Sequence, residues 1–267
     1  MYDLYRAAVD YCLGQDPECT IIYGGDACDR GPDGYKIMKE LLNHPQIGYL
    51  KGNHEDIFVH AAWFILRNYK GSIDSNHIFD YLYSHLVDPY KSSEISLSLQ
   101  NGGFQTLTDW MLDGMPEDFV LQISQLPLTF SYEGLDFCHA GGDPKVFVRI
   151  ARNEYDDTFI NKNDQFNLLW DRNWLGFGWL PTRTCIFGHT PTPHLPTKYY
   201  GKDKSINNAH PCKYVGQIDD RLTGARLDMD TGAFASGRLY VLNCLTMKAQ
   251  GFLYNKLEVE KIEVIQF

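Results

Sequence analysis

The chain has 267 residues, 44% of them hydrophobic and 14% aromatic, with a formal net charge of −10. That is enough apolar mass for a sizeable core, in one large α/β domain or two small ones, while the negative charge excludes a general nucleic-acid-binding module and leaves any phosphate-bearing partner to local positive features, metal ions or a few arginines. No run approaches the ~18 apolar residues of a membrane span, no basic-then-apolar signal pattern opens the chain, and the seven cysteines are scattered without a CxxC pair, so a cytoplasmic protein with reduced thiols and no membrane partner is expected.

Along the chain, short apolar β-rich runs repeatedly end in Gly-containing polar turns. Cys19–Tyr23 runs into Gly24-Gly25-Asp26, and Ile47–Leu50 into Gly52-Asn53-His54-Glu55. Leu135–Cys138 runs into His139-Ala140-Gly141-Gly142, and Cys185–Phe187 into Gly188-His189-Thr190. Short continuous apolar runs suit strands buried on both faces. Helical patterns lie near Leu4–Cys12, Tyr35–Leu42 and Ile57–Tyr69, and residues 72–125 read as a helical insertion or cap. From Ala225 onward the chain is β-rich, with strands expected over Arg238–Cys244, Gly251–Tyr254 and Lys256–Ile265. Alternating strands and helices predict an α/β fold with ligands gathered at the carboxyl ends of the strands. No linker interrupts the pattern, and a single domain over 1–267 is expected.

Each strand end carries chemistry. Gly25-Asp26-Ala27-Cys28-Asp29-Arg30-Gly31 projects two carboxylates and a guanidinium from one turn, and Asn53-His54 sets an amide oxygen beside an imidazole. His139 and His189 each follow a strand. Singly, these are ordinary: an aspartate in a Gly-rich turn is usually a turn residue. Four such ends in series are harder to treat as accidents. Oxygen and nitrogen donors without thiolate suit Mn²⁺, Fe or Zn²⁺ bound for hydrolysis. Glu55 reads as support for its loop by hydrogen bonds, and the aromatic residues Trp170, Trp174, Phe177 and Trp179 as core.

GDACDRG, GNHED, HAGG and FGHT resemble, in order, the signature blocks of the calcineurin-like metallophosphoesterases. The DRG continuation is similar to the serine/threonine phosphatase branch, which includes the phage lambda-type phosphatase and bacterial symmetrical dinucleoside tetraphosphate hydrolases. The resemblance runs from about Tyr2 to near Leu239. It implies a four-layer α/β/β/α sandwich and a two-metal centre in which a metal-activated hydroxide attacks phosphorus in line. Asp26 would bridge the metals, and Asn53, His139 and His189 would complete the second metal's ligands. His54 would protonate the leaving alkoxide, oriented by Asp29. Arg30 would clamp the phosphate oxygens, and Arg172, in Leu169-Trp170-Asp171-Arg172, matches a second phosphate-binding arginine; Asn53 would also face the substrate. Asp230, in DMDTGA, resembles a late block of the family and reads as structural. The implied activity is phosphoric monoester hydrolysis of the serine/threonine protein phosphatase kind, on a phosphorylated protein or a small phosphate ester or nucleotide. Dinucleoside polyphosphate hydrolysis is the alternative, and a weakly active or inactive phospho-binding protein a third.

The family opens with a strand ending in D-x-H-G, which supplies the first metal's ligands. No such block precedes GDACDRG here, so the first strand is expected to be missing. Three accounts remain open: a start placed too late, a natural chain holding one metal well, or a non-catalytic descendant. Loss of an interior strand would expose unpaired backbone, so lower stability than in full-length relatives is expected.

Overall fold

The computed structural model describes residues 1–151, 162–173, 178–195, 205–215, 224–255 and 258–267. The chain divides into two compact units, one formed by Met1–Gly24 with Pro127–Phe267 and the other by Gly25–Leu126.

The first unit is mixed α/β and holds two sheets. Helix α1 (Tyr2–Gln15) buries Leu4, Tyr5, Ala8 and Val9, an i, i+1, i+4, i+5 stripe that suits one covered face. An Arg6–Asp10 pair at 2.7 Å braces its outer side, and the helix stops just before Pro17. Strand β1 (Ile21–Tyr23) follows. A five-stranded sheet contains β3 (Thr129–Tyr132), β4 (Leu135–Cys138), β5 (Thr184–Phe187), β6 (Cys212–Val215) and β7 (Ala225–Asp228), in the order β3-β4-β5-β7-β6. The β3–β4 hairpin turns through Glu133 and Gly134, both with left-handed φ, as a two-residue primed turn requires. In the middle, β4, β5 and β7 run parallel, while both edges are antiparallel. The carboxyl ends of the three parallel strands therefore lie side by side, and they lead into His139, Gly188-His189 and Met229-Asp230.

Helices α8 (Pro144–Ala151) and α9 (Lys162–Leu169) pack Val146, Phe147 and Leu168 against Cys138, Cys185, Phe187 and Trp179. Trp179 has the core role expected of it. Its Nε1 donates to Asp136 at 2.7 Å, where Ser131 and Arg183 also donate. Trp174 and Phe177 lie outside the described residues. The second sheet is antiparallel: β8 (Arg238–Asn243), β9 (Lys248–Tyr254) and β10 (Val259–Gln266) in the order β10-β9-β8. α1 covers it, with Leu4, Ala8 and Tyr11 against Phe252. α10 (Ala233–Ser236) is a single turn between left-handed Gly232 and Gly237.

The second unit is mostly helical: α2 (Gly34–Asn43), the short β2 (Ile47–Tyr49), α3 (Asn53–Asn68), α4 (Ser75–Val87), α5 (Ser93–Gln100), α6 (Phe104–Leu112) and α7 (Glu117–Ser124). Residues 72–125 are helical, as expected. α3 lies against α5 and α7, and α4 against α5 and α6. Phe58 of α3 meets Trp110 edge-on at 5.7 Å and Phe119 at 5.9 Å, all three rings buried. Among the boundaries that differ from the sequence reading, one bears on the chemistry. α3 starts at Asn53 rather than near Ile57, so His54 sits on the first helical turn and not in a loop.

Candidate functional site

In the Gly25–Leu126 unit, the chemistry is built around Glu55. This residue occupies the third helical position of α3, and its fully buried carboxylate reaches back to Gly52 N–H at 2.7 Å, one half of a capping box. The same carboxylate accepts from Asp26 N at 2.8 Å, Ala27 N at 2.7 Å and Tyr49 Oη at 2.7 Å. Four donors on one acceptor-only group fix the turn that carries Asp26. Glu55 thus supports its loop by hydrogen bonds, as expected. The turn needs that restraint, because Asp26, Asp29 and Arg30 all hold left-handed φ (58°, 69° and 56°), unfavourable for side chains with a Cβ. Gly52 is required for space, since a Cβ there would overlap both Asp26 and Glu55.

Asp26 Oδ1 accepts from His54 N at 3.1 Å, so its carboxylate caps the amide end of α3. Asn53 opens the helix and is buried. His54 Nδ1 lies 2.7 Å from Asp29 Oδ2, with the two side chains 3% and 1% exposed. A carboxylate facing Nδ1 accepts its N–H and leaves Nε2 as the ring nitrogen free of that bond. Burial alone pushes the His54 imidazole down. The hydrogen bond to Asp29 and the charges of Asp26 and Asp29 outweigh burial and the opposing Arg30, so it lies above the ordinary histidine value. Asp29 is pinned by Thr106, whose Oγ1 accepts from Asp29 N at 3.1 Å. Arg30 is solvent-exposed and anchored through its N–H to Gly102 O at 3.1 Å.

In the other unit, the rings of His139 and His189 meet edge to face at 5.1 Å, both buried. His139 Nδ1 is 2.8 Å from Gly24 O, and His189 Nε2 is 3.2 Å from Trp170 O. A carbonyl only accepts, so each bond assigns the ring proton and directs the other nitrogen's lone pair elsewhere: Nε2 of His139 and Nδ1 of His189. Metal-ligating histidines are oriented in this way. His189 also holds a left-handed φ of 71°. The two histidine loops are tied together, since His139 O accepts from Gly188 N at 2.8 Å. Asp230 has the structural role read from its motif: its O accepts from Thr192 N at 2.7 Å and its Oδ1 from Gly232 N at 2.8 Å. Arg172 is exposed two residues beyond Trp170, in a turn made by Asp171 Oδ1 and Asn173 N at 2.8 Å.

Arg226 and Asp228 of β7 escaped the sequence reading. Arg226 is fully buried, lies over the Trp179 ring at 4.7 Å, and donates to Gly141 O at 2.5 Å and Gly142 O at 3.2 Å. It thereby clamps the loop after His139. Asp228 is also fully buried; its Oδ1 accepts from Asp230 N at 3.0 Å, and its Oδ2 has no hydrogen-bond partner among the described residues. Burial first, and then the charge of Asp230, push its carboxyl well above the usual range. A basic or acidic residue in a short strand looks solvent-facing by pattern; Asp228 opens the DMDTGA block, which pointed to Asp230 instead, and no motif marks Arg226.

Taken by itself, each unit carries donors of kinds that suit a divalent cation: a carboxylate and an amide oxygen in Gly25–Leu126, and two imidazoles with fixed tautomers in the other.

No family model matches the chain, and no curated protein matches it. Among solved structures, it is similar to a metallophosphoesterase from Sphaerobacter thermophilus, with 12% sequence identity and a TM-score of 0.39 over 99% of this chain and 85% of that one. Among the described residues, no helix is long and apolar enough to cross a membrane.

Proposed function

We propose that this chain is a metal-dependent phosphoric monoester hydrolase of the metallophosphoesterase kind, acting on phosphoserine or phosphothreonine in proteins. The observation that carries the reading is the buried His54–Asp29 pair at 2.7 Å, set between the GDACDRG and GNHED blocks. Asp26, Asn53, His139 and His189 are the proposed metal ligands, a set taken from the motif order and supported by the fixed tautomers of the two histidines. A bound divalent metal, with manganese as the proposed ion, would supply charge neutralisation and an acidified water.

The chain's own groups do the rest. His54, whose protonated form the Asp29 carboxylate favours, would present Nε2–H as the acid for the departing alkoxide, a contribution of typically ~10²–10⁴ in rate. Arg30 and Arg172 offer planar guanidinium forks to the phosphate oxygens. Glu55 holds the Asp26 turn still, so positioning is settled before substrate arrives. The DRG continuation supports the protein phosphatase reading of the substrate. A cytoplasmic location is in keeping with all seven cysteines being free thiols.

The test is 4-nitrophenyl phosphate turnover by the purified chain with Mn²⁺ and with chelator, alongside elemental analysis of bound metal. Turnover restored by Mn²⁺ and abolished by chelation is expected, as is release of phosphate from a phosphoserine peptide. No turnover with metal bound would remove the hydrolase reading. Turnover of a dinucleoside tetraphosphate but not of the peptide would overturn the substrate assignment.

A further inference from the structure

The outer face of α4 carries more apolar surface than the fold uses. At about 100° per residue, the buried side chains Ile78, Leu82 and His85 occupy roughly 60° of arc, with Tyr81 packed on Tyr69 and Phe79 meeting Phe104 edge-on. Phe79, Tyr83, Leu86 and Val87 occupy a further ~100° beside it, and each of these four is exposed; the adjacent Tyr90 is 99% exposed. Phe79 and Tyr83 stack in parallel, with centroids 5.7 Å apart and planes 8° from each other, so a preformed aromatic plate faces solvent. An amphipathic helix needs one apolar face for its core. A contiguous second face of this kind marks an interaction surface.

The electrostatics choose the occupant. Over residues 72–97 there are four carboxylates, Asp74, Asp80, Asp88 and Glu94, against one lysine, Lys91. Asp80 follows Phe79 directly, neighbours Tyr83 at i+3 and lies on the same side of the helix as Val87 two turns on. Asp88 closes the helix beside Val87. The last turn holds no lysine or arginine; its only basic residue is His85, which is buried with Nδ1 2.9 Å from Tyr81 O. The negative end of the helix dipole therefore adds to the charge of Asp88, which also accepts from Tyr90 N at 3.2 Å. Aromatic faces attract cations as well. A second copy of this chain would bring carboxylates against carboxylates, and an anionic lipid surface would be repelled.

We infer that the Phe79–Tyr83–Val87 face of α4 docks a basic polypeptide segment whose aliphatic or aromatic side chains lie on the plate while its lysines or arginines meet Asp80 and Asp88. This surface stands independently of the hydrolase reading. The experiment titrates the full chain with a fluorescent 20-residue peptide of leucine, phenylalanine and lysine, and with its counterpart carrying glutamate for lysine, at two salt concentrations. Two exposed-site variants, Tyr83→Glu and Asp80→Lys, are compared after circular dichroism shows both folded, and sedimentation follows the oligomeric state. Saturable, salt-sensitive binding of the basic peptide is expected, with Tyr83→Glu weakening it at least about tenfold and Asp80→Lys shifting preference towards the acidic peptide. Equal binding of both peptides, no binding, or binding unchanged in Tyr83→Glu would overturn the inference. So would dimerisation that Tyr83→Glu abolishes, which would assign the face to a second copy, or binding to anionic vesicles in place of the peptide.

Discussion

Glu55 and Asp26 are 29 residues apart in sequence, yet the Glu55 carboxylate accepts the Asp26 backbone N–H at 2.8 Å and holds a left-handed turn in place. The chemistry of the turn depends on a residue that touches none of the reacting groups in the proposed mechanism. A buried acceptor with four donors is expensive to disturb, because substitution leaves the donors unpaired. Glu55→Gln puts an amide N–H against backbone N–H groups. It is expected to lower unfolding free energy by roughly 2–4 kcal/mol in urea titrations.

Gly52 is predicted to tolerate no side chain. Its φ of −98° is available to any residue, so the obstacle is space: a Cβ overlaps Asp26 and Glu55. Gly52→Ala should destabilise by roughly 1–3 kcal/mol, whereas Gly14→Ala, in a helix with nothing near its Cβ, should be neutral or mildly stabilising. Paired thermal melts separate the two.

Asp228 gives a pH dependence of defined sign. Its carboxyl lies well above the usual range in the folded chain because it is buried, so between the ordinary carboxyl pKa and the raised one the folded state binds one more proton than the unfolded state. Its contribution to stability is therefore fullest in acid and falls as pH rises through that window. Asp228→Asn mimics the neutral acid. The variant should equal the parent in mild acid and exceed it at neutral pH, as read from urea midpoints at a series of pH values.

Thiol reactivity follows burial. Cys28, Cys138, Cys185 and Cys212 are buried, and burial pushes the Cys28, Cys185 and Cys212 thiols up, the last to about 12. A thiol-reactive disulfide reagent should modify at most Cys12, Cys19 and Cys244 in the native protein, and all seven cysteines after denaturation.

The sequence showed the strand ends because their signal is local: apolar β-rich runs followed by glycine and a polar residue. It also showed that 72–125 is helical and that Glu55 is a support. It did not show α8, because the β-branched and aromatic run Val146-Phe147-Val148 has no helical signal of its own and the helix opens at Pro144. Nor did it show Arg226, whose burial depends on two glycine carbonyls 84 and 85 residues away and on the Trp179 ring. Long-range hydrogen bonds of this kind leave no periodicity to read. The His54–Asp29 pairing was legible only through the motif, 25 residues separating its members.

The most direct test of the central claim, that His54 held by Asp29 is the acid of a metal-dependent phosphomonoesterase, is the leaving-group dependence of kcat/KM. Metal-loaded wild type and His54→Gln are compared on a series from dinitrophenyl through phenyl to alkyl phosphates. The variant should lose ~10²–10⁴ on the phenyl and alkyl esters and far less on the dinitrophenyl ester, whose anion leaves unaided. An equal loss across the whole series, or none, would contradict the assignment.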